Sequence, residues 1–137
     1  MQGAKTVEKM CEVARDLGIK YFTVYAFSTE NWKRPQSEVD ALMKLLRKYM
    51  VDSLERTAKN NMRVRVIGDK TGLSEDIQKS IADVETASAG NTGLNFTIAI
   101  NYGSRDEMIR AMRKMTKDCA DGRFAPEEIT EELFEGY

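Results

Sequence analysis

The sequence contains the apolar run Tyr21-Phe-Thr-Val-Tyr-Ala-Phe27, which is followed directly by the polar segment Ser28-Thr-Glu-Asn-Trp-Lys-Arg-Pro35. The first segment has the length and the aromatic and β-branched content of a buried strand. The second, called here the 28–35 loop, places a hydroxyl, a carboxylate, an amide, an indole and a guanidinium just past that strand. Ligands of open α/β sheets bind outside the carboxyl ends of the strands, which makes this loop a candidate site. A solvated loop with one aromatic anchor would look similar, so the pattern alone leaves both interpretations open.

The rest of the chain alternates helical and strand patterns in the order αβαβαβα. Apolar spacing predicts helices over 4–17 and about 37–60, with others beginning near Ser74 and at the capping-box sequence Ser104-Arg-Asp-Glu107. Further strands are predicted over 62–67 and 94–100. Connections of this length suit parallel strands, so we predict an α/β fold in which helices flank a parallel sheet of about three strands.

Three strands are few for this class, and the first predicted element is a helix. This pattern suggests that strands from another chain complete the sheet, or that the chain is a piece of a larger domain. The last long helix is predicted to face inward with one apolar stripe: Met108, Ile109, Met112, Met115 and Cys119. A short helix capped by Thr130 is predicted in the acidic tail.

Composition narrows the function classes. The 137 residues suffice for one domain, and the net charge of −1 with interspersed charges offers no basic surface for nucleic acid. The chain has no histidine, which removes Ser-His and Cys-His catalysis and the usual zinc sites. No export signal or run of about 20 apolar residues is visible, so we expect a cytoplasmic protein. In that compartment Cys11 and Cys119 are expected to be free thiols.

Two further motifs bear on the function. Gly90-x-x-Gly93 joins a helix to a strand and lacks the G-x-G-x-x-G pattern, and no P-loop is present; a nucleotide-binding α/β module is therefore disfavoured. Asn101-Tyr-Gly103 follows the third strand at the same predicted sheet edge as the 28–35 loop. It could line the same cleft or form only a strand-to-helix turn.

Four segments carry a resemblance to a known family: Tyr25–Val39, which contains F-S-x-E-N-W-x-R-P, then Val66–Asp69, Ala89–Leu94 and Asn101–Glu107. In these segments the chain resembles the cis-prenyltransferases, in particular the undecaprenyl diphosphate synthases. The resemblance covers nearly the whole chain, and its first motif is highly specific. It implies a Mg²⁺-dependent enzyme that condenses isopentenyl diphosphate with an allylic diphosphate such as farnesyl diphosphate, making a polyprenyl lipid carrier for bacterial cell-wall synthesis. It also implies a homodimer with peripheral membrane contact through its lipid product.

The resemblance assigns roles to individual residues. Ser28 would hydrogen-bond near the diphosphates, and Asn31 would position groups and handle a proton, so both are the expected catalytic residues. Arg34 would hold a substrate diphosphate, with Glu30 and Trp32 on a mobile loop that closes over substrate. The tunnel for the prenyl chain would be lined by Ala26, Leu45 and Leu94, with the broad apolar stripe of the long helix as one wall.

Two family motifs are not in the sequence. The M-D-G-N-G-R-W segment supplies the metal-binding aspartate in the family, and an R-T-S-G-E-type segment binds isopentenyl diphosphate. No metal ligand is therefore assigned here. We expect the chain to be an internal segment, a partial cis-prenyltransferase domain over 1–137, with little or no turnover alone. The alternative is a non-catalytic, prenyltransferase-like interaction subunit that needs a partner chain.

Overall fold

The computed structural model describes residues 2–137, apart from the side chains at positions 2, 4, 55, 56 and 58. The chain forms two compact units, one ending at Tyr102 and the other comprising Gly103–Tyr137. The first unit contains α1 (Gln2–Asp16), β1 (Tyr21–Ser28), α2 (Gln36–Asn60), β2 (Arg63–Ile67), α3 (Glu75–Ser88) and β3 (Asn95–Tyr102). The second contains α4 (Ser104–Ala120) and α5 (Glu131–Glu135). Among the described residues, no helix is both long and apolar enough to cross a membrane.

The first unit is built on a parallel sheet with the strand order β1-β3-β2. Phe96 of β3 pairs with Phe22 of β1 on one side and with Val64 of β2 on the other. Paired residues of parallel strands point to the same face, so this register builds an apolar sheet face. The predicted α/β class with about three parallel strands is confirmed. The strand order could not be read from the sequence: β1 leads through α2 to β2 and β2 leads through α3 to β3, and helical connections of this kind do not show which strands become neighbours.

Three helices cover that apolar face and bury its core. In α3, Ile77, Ile81 and Val84 recur at helical spacing and are almost fully buried. The helix begins after Ser74 with Glu75 and Asp76 in its first turn, where carboxylates favour the helix dipole. Residues of α1 and α2 complete the same core cluster: Cys11, Ala14, Val39, Leu46 and Met50.

Side chains of α3 protect the outer edge of β2. The Val64 amide donates to Ser88 Oγ at 3.0 Å, and the Val66 amide donates to Glu85 Oε1 at 2.8 Å. Lys70 holds the other oxygen of Glu85 at 2.9 Å. The amides of an edge strand otherwise invite pairing with another chain. These bonds therefore satisfy the edge of β2 from within the chain.

We expect Ser88→Ala to lower the free energy of unfolding by about 1–3 kcal/mol, because it leaves the Val64 amide without its buried acceptor. Urea unfolding followed by circular dichroism measures this loss. The matched control is Ser80→Ala, whose hydroxyl donates to the Asp76 carbonyl on the exposed side of the same helix, with an expected change within about 0.5 kcal/mol. Equal losses in the two variants would contradict the edge-protecting role of Ser88.

The second unit corrects two sequence predictions. Ser104 is the first residue of α4 rather than its cap; Gly103 is the N-cap, and no side chain caps the helix. The buried residues of α4 are Ala111, Met115 and Asp118, while Met108, Ile109 and Met112 are exposed. The predicted stripe is therefore wrong: it is a neighbouring face of the helix that shares only Met115 with the buried one. The Thr130 cap of α5 is confirmed by its bond from the Leu133 amide.

Candidate functional site

The carboxyl edge of the sheet is shaped by two irregularities of pairing. Tyr25 pairs with Ala99 and Phe27 with Ile100, so Ala26 is an extra residue in β1. Ser28 then pairs with Tyr102, which makes Asn101 the extra residue in β3. Strict alternation from Phe22 and Val24 would point Ala26 into the core; the bulge places Phe27 there instead, at 2% exposure. Bulges re-aim side chains in this way beside functional sites.

The 28–35 loop forms a 3₁₀ turn over Thr29–Lys33 that its own polar residues close. The Ser28 amide donates to Asn31 Oδ1 at 2.8 Å, and the Glu30 amide donates to Ser28 Oγ at 3.3 Å. The two expected catalytic residues, Ser28 and Asn31, are thus neighbours held in one reciprocal cap. The Ser28 hydroxyl proton and the Asn31 Nδ2 group take no part in these two bonds, so this geometry leaves donors for a ligand.

Trp32 is held against the end of the sheet. Its indole Nε1 donates to Asn101 Oδ1 at 2.7 Å, and its ring meets Phe27 edge to face with centroids 4.9 Å apart. The indole is still 41% exposed, so one side of it faces solvent. Asn101, which the sequence placed either in the cleft or in a simple turn, lies at the 28–35 loop.

The charged residues of the loop are exposed. Arg34 Nη1 lies 3.5 Å from Glu38 Oε2, and the two side chains are 52% and 55% exposed. Exposed pairs of this kind contribute about 0–1 kcal/mol, so an anionic ligand could displace Glu38 at little cost. Glu30 is also exposed, and its backbone amide donates the hydrogen bond to Ser28 Oγ.

An apolar cavity of about 280 Å³ lies between α1, β1 and α2. The lining residues are Gly3, Val7, Val24, Tyr25, Ala26, Phe27, Leu42, Met43, Leu45, Leu46, Tyr49 and Ile98. Leu42 and Leu45 also line an open depression of about 430 Å³, whose other members are Arg34, Glu38 and Ala41. The exposed guanidinium of Arg34 and the apolar cavity therefore belong to two neighbouring concave surfaces that share these two leucines. This arrangement suits a ligand with an anionic head and a hydrocarbon tail.

The expected tunnel residues divide between two locations. Ala26 and Leu45 line the cavity, whereas Leu94 does not; it lies just before β3 and packs in the core cluster at 3% exposure. Leu42 and Tyr49 belong to the broad apolar stripe of the long helix that was expected to form one wall of the tunnel, and both line the cavity.

A second cavity, of about 230 Å³, shares Tyr49 with the first and extends to Met62 and Phe96 near the start of β2 and β3. Cys11 lines it, and burial together with Glu8 and Glu12 raises the pKa of this thiol from 9.0 to about 11. The thiol is therefore neutral at physiological pH, as expected of an inert core cysteine. Cys119, also a free thiol, is only half-buried.

The described residues do not fit a magnesium site. No group of three or more His, Cys, Asp or Glu side chains among them is placed to hold a metal. At this edge of the sheet, Asp69 Oδ1 accepts bonds from the Thr71 amide and hydroxyl, and Glu38 lies beside Arg34. No chemical step is therefore assigned to a metal on this chain.

Comparison with known proteins identifies the family. A family model described as undecaprenyl diphosphate synthase (Prenyltransf) matches residues 1–137. The chain belongs to this family. It is 45% identical over 132 residues to an isoprenyl transferase of Agrobacterium fabrum, covering 96% of this chain and 53% of the relative. It is 44% identical over 137 residues to an isoprenyl transferase of Fusobacterium nucleatum, covering 100% of this chain and 57% of the relative. The chain thus spans about half the length of these curated relatives, which are named as prenyl-transferring enzymes.

Solved structures agree with the family. Lavandulyl diphosphate synthase from Lavandula x intermedia, solved with dimethylallyl diphosphate, superposes with a TM-score of 0.90 at 32% identity, covering 97% of this chain and 57% of that one. A probable undecaprenyl diphosphate synthase from Campylobacter jejuni superposes with a TM-score of 0.83 at 37% identity, covering 97% and 62%. The resemblance to cis-prenyltransferases found in the sequence is confirmed.

Proposed function

We propose that this chain carries part of the active site of a cis-prenyltransferase that condenses isopentenyl diphosphate with an allylic diphosphate such as farnesyl diphosphate, for synthesis of a polyprenyl lipid carrier. The observation that supports this most is an apolar cavity whose lining shares Leu42 and Leu45 with the depression that contains Arg34. The hydrocarbon tail of an allylic diphosphate would fill the cavity, and its diphosphate would lie at the guanidinium. The similar lavandulyl diphosphate synthase was solved with an allylic diphosphate, dimethylallyl diphosphate.

In the proposed reaction, these residues bind and position the substrates. The allylic diphosphate ionises at its C–O bond, the isopentenyl double bond attacks the cation, and loss of a proton leaves a cis alkene. Arg34 stabilises the departing diphosphate through charge-assisted hydrogen bonds. The Ser28 hydroxyl donates to a diphosphate oxygen. Asn31, fixed beside it, positions the reacting groups and helps to direct the released proton to the departing diphosphate, which accepts it. Glu30 and Trp32 belong to the loop that covers the substrate.

Several features of the whole protein belong to the same proposal. Residues 1–137 form a single, partial cis-prenyltransferase domain, and the protein is a cytoplasmic homodimer whose lipid product brings it to the membrane surface. Mg²⁺ assists the family reaction, although the described residues of this chain do not form its site. Because the family's M-D-G-N-G-R-W motif is not in this sequence, the 137-residue chain binds substrate but turns it over little or not at all.

We expect Arg34→Ala to weaken binding of farnesyl diphosphate about tenfold, since it removes charge-assisted hydrogen bonds to the diphosphate. Isothermal titration calorimetry of the 137-residue chain measures this change. The control is Arg47→Ala, which removes a guanidinium of α2 that bonds Asp76 instead. Unchanged affinity in Arg34→Ala, or an equal loss in Arg47→Ala, would count against a diphosphate site at Arg34.

A further inference from the structure

The side chain and backbone of Asn101 join the ends of all three strands. Its Oδ1 accepts the Trp32 indole N–H at 2.7 Å, which ties β3 to the loop that follows β1. Its Nδ2 donates to the Asp69 carbonyl at 2.8 Å, and its own carbonyl accepts the Asp69 amide at 3.2 Å. The second pair of bonds ties β3 to the turn after β2. One residue therefore fixes the relative positions of the two loops at this sheet edge.

The backbone explains why this residue is an asparagine. Asn101 is the bulged residue of β3 and has a φ of 49°, a left-handed conformation that asparagine tolerates better than most residues. It is 5% exposed, so both ends of its amide need partners, and both have them. An aspartate would keep the acceptor for Trp32 but lose the donor to Asp69.

The surrounding chain leaves room for this amide. Gly68 brings the turn after β2 against the end of β3: a Cβ at this position would lie 2.1 Å from the Ile100 carbonyl oxygen. A Cβ on Gly72 would lie 3.0 Å from Asn101 Nδ2. Two glycines thus allow the close approach on which the bonds of Asn101 depend.

We propose that Asn101 is a positioning residue that latches the 28–35 loop to the end of the sheet through Trp32. The bond spans 69 residues of sequence and holds an indole that is otherwise half in solvent. With the bond made, Ser28, Asn31 and Arg34 keep a fixed relation to the cavity; with the bond broken, the loop moves away from the neighbouring strand. The inference that the latch controls access of an allylic diphosphate rests on the proposed function. The existence of the latch does not depend on that function.

The test uses Trp32 as its own probe. It is the only tryptophan, so the ¹⁵N-labelled chain gives one indole N–H resonance, whose hydrogen exchange reports this bond. Asn101→Gly removes the amide and accepts the positive φ; we expect indole exchange to accelerate about tenfold or more. Asn101→Asp retains the acceptor for the indole but sets an oxygen against the Asp69 carbonyl, so it should accelerate the exchange less than Asn101→Gly does. Asn95→Ala, which removes a side-chain bond to the Lys20 carbonyl at the opposite end of the sheet, should change nothing.

Gly72→Ala provides a second, independent perturbation, since it crowds Nδ2 without removing any side chain. We expect Gly72→Ala to shift the indole N–H resonance and to accelerate its hydrogen exchange. This variant tests the latch if Asn101→Gly does not fold. If Asn101→Gly is folded and its indole N–H exchanges as slowly as in the original chain, the latch is overturned. If only Gly72→Ala is folded, an unchanged indole resonance and exchange rate in that variant would overturn it.

Titration with farnesyl diphosphate separates the latch from the proposed function. If the original chain binds the ligand and Asn101→Gly binds it several-fold more weakly, the latch acts on substrate. Equal affinities would overturn its control of access. If the original chain binds no ligand while Asn101→Gly still loses indole protection, the latch stands and the proposed function fails.

Discussion

Gly68→Ala is expected to reduce the free energy of unfolding by about 3–5 kcal/mol, a large part of the stability of a small domain. Gly68 has a φ of 111°, which residues with a Cβ rarely adopt, and the added Cβ would lie 2.1 Å from the Ile100 carbonyl oxygen. The contact is with backbone, so no side chain can rotate away. Either the turn after β2 separates from β3 or the strand ends shift.

Urea unfolding monitored by circular dichroism measures this loss. Gly90→Ala is the matched control, because its added Cβ would meet nothing within 4 Å and its φ is not positive. We expect its stability to change by less than about 0.5 kcal/mol. If Gly68→Ala were as stable as Gly90→Ala, the close approach of the turn after β2 to β3 would be wrong.

Ala26→Leu is expected to weaken binding of farnesyl diphosphate roughly 50-fold. The new side chain adds about three carbons at the cavity lining and displaces a similar length of prenyl chain, at about 0.8 kcal/mol for each methylene that is no longer buried. Ala26 is itself exposed, so the fold should tolerate the change. Binding of inorganic diphosphate should not change, because the head of the ligand lies at Arg34 rather than in the cavity.

Calorimetric titrations with both ligands measure this difference between tail and head. Ala82→Leu makes the same substitution at an exposed position of α3 and should leave both affinities unchanged. A tail-specific loss in Ala26→Leu alone supports the cavity as the prenyl site. Equal weakening of both ligands, or no weakening, would contradict it.

Much of this fold was predictable because its signals are local. Two strands were predicted from apolar runs, one beginning at Tyr21 and one bounded by glycines before Asn101. The spacing of Ile77, Ile81 and Val84 predicted the buried face of α3. The predicted site followed from a polar loop directly after a buried strand, at the edge where α/β sheets bind ligands. Ser28 and Asn31 could be predicted to lie at one site because they belong to the same short loop.

The remaining features depend on pairing between distant segments. The bulges at Ala26 and Asn101 arise from the register of β1 against β3, which no local pattern encodes. The bond from Trp32 to Asn101 follows from that register, so the sequence could only place Asn101 at the same edge. Leu94, which the resemblance assigns to the tunnel, is buried in the core cluster, and its position relative to the helices depends on packing that no local pattern indicates. In α4, the face predicted to be buried was the wrong one of two adjacent faces, because burial depends on what the helix packs against.

Photoaffinity labelling tests the central claim most directly, since it locates the prenyl chain on the protein. A farnesyl diphosphate analogue with a benzophenone at the end of its tail would be crosslinked to the 137-residue chain and the labelled peptides mapped by mass spectrometry. We predict labelling in β1 and in α2 around Leu42–Tyr49, suppressed by excess farnesyl diphosphate and reduced in Ala26→Leu. Labelling that falls on α3 or α5, or that excess farnesyl diphosphate does not suppress, would contradict a prenyl site between α1, β1 and α2.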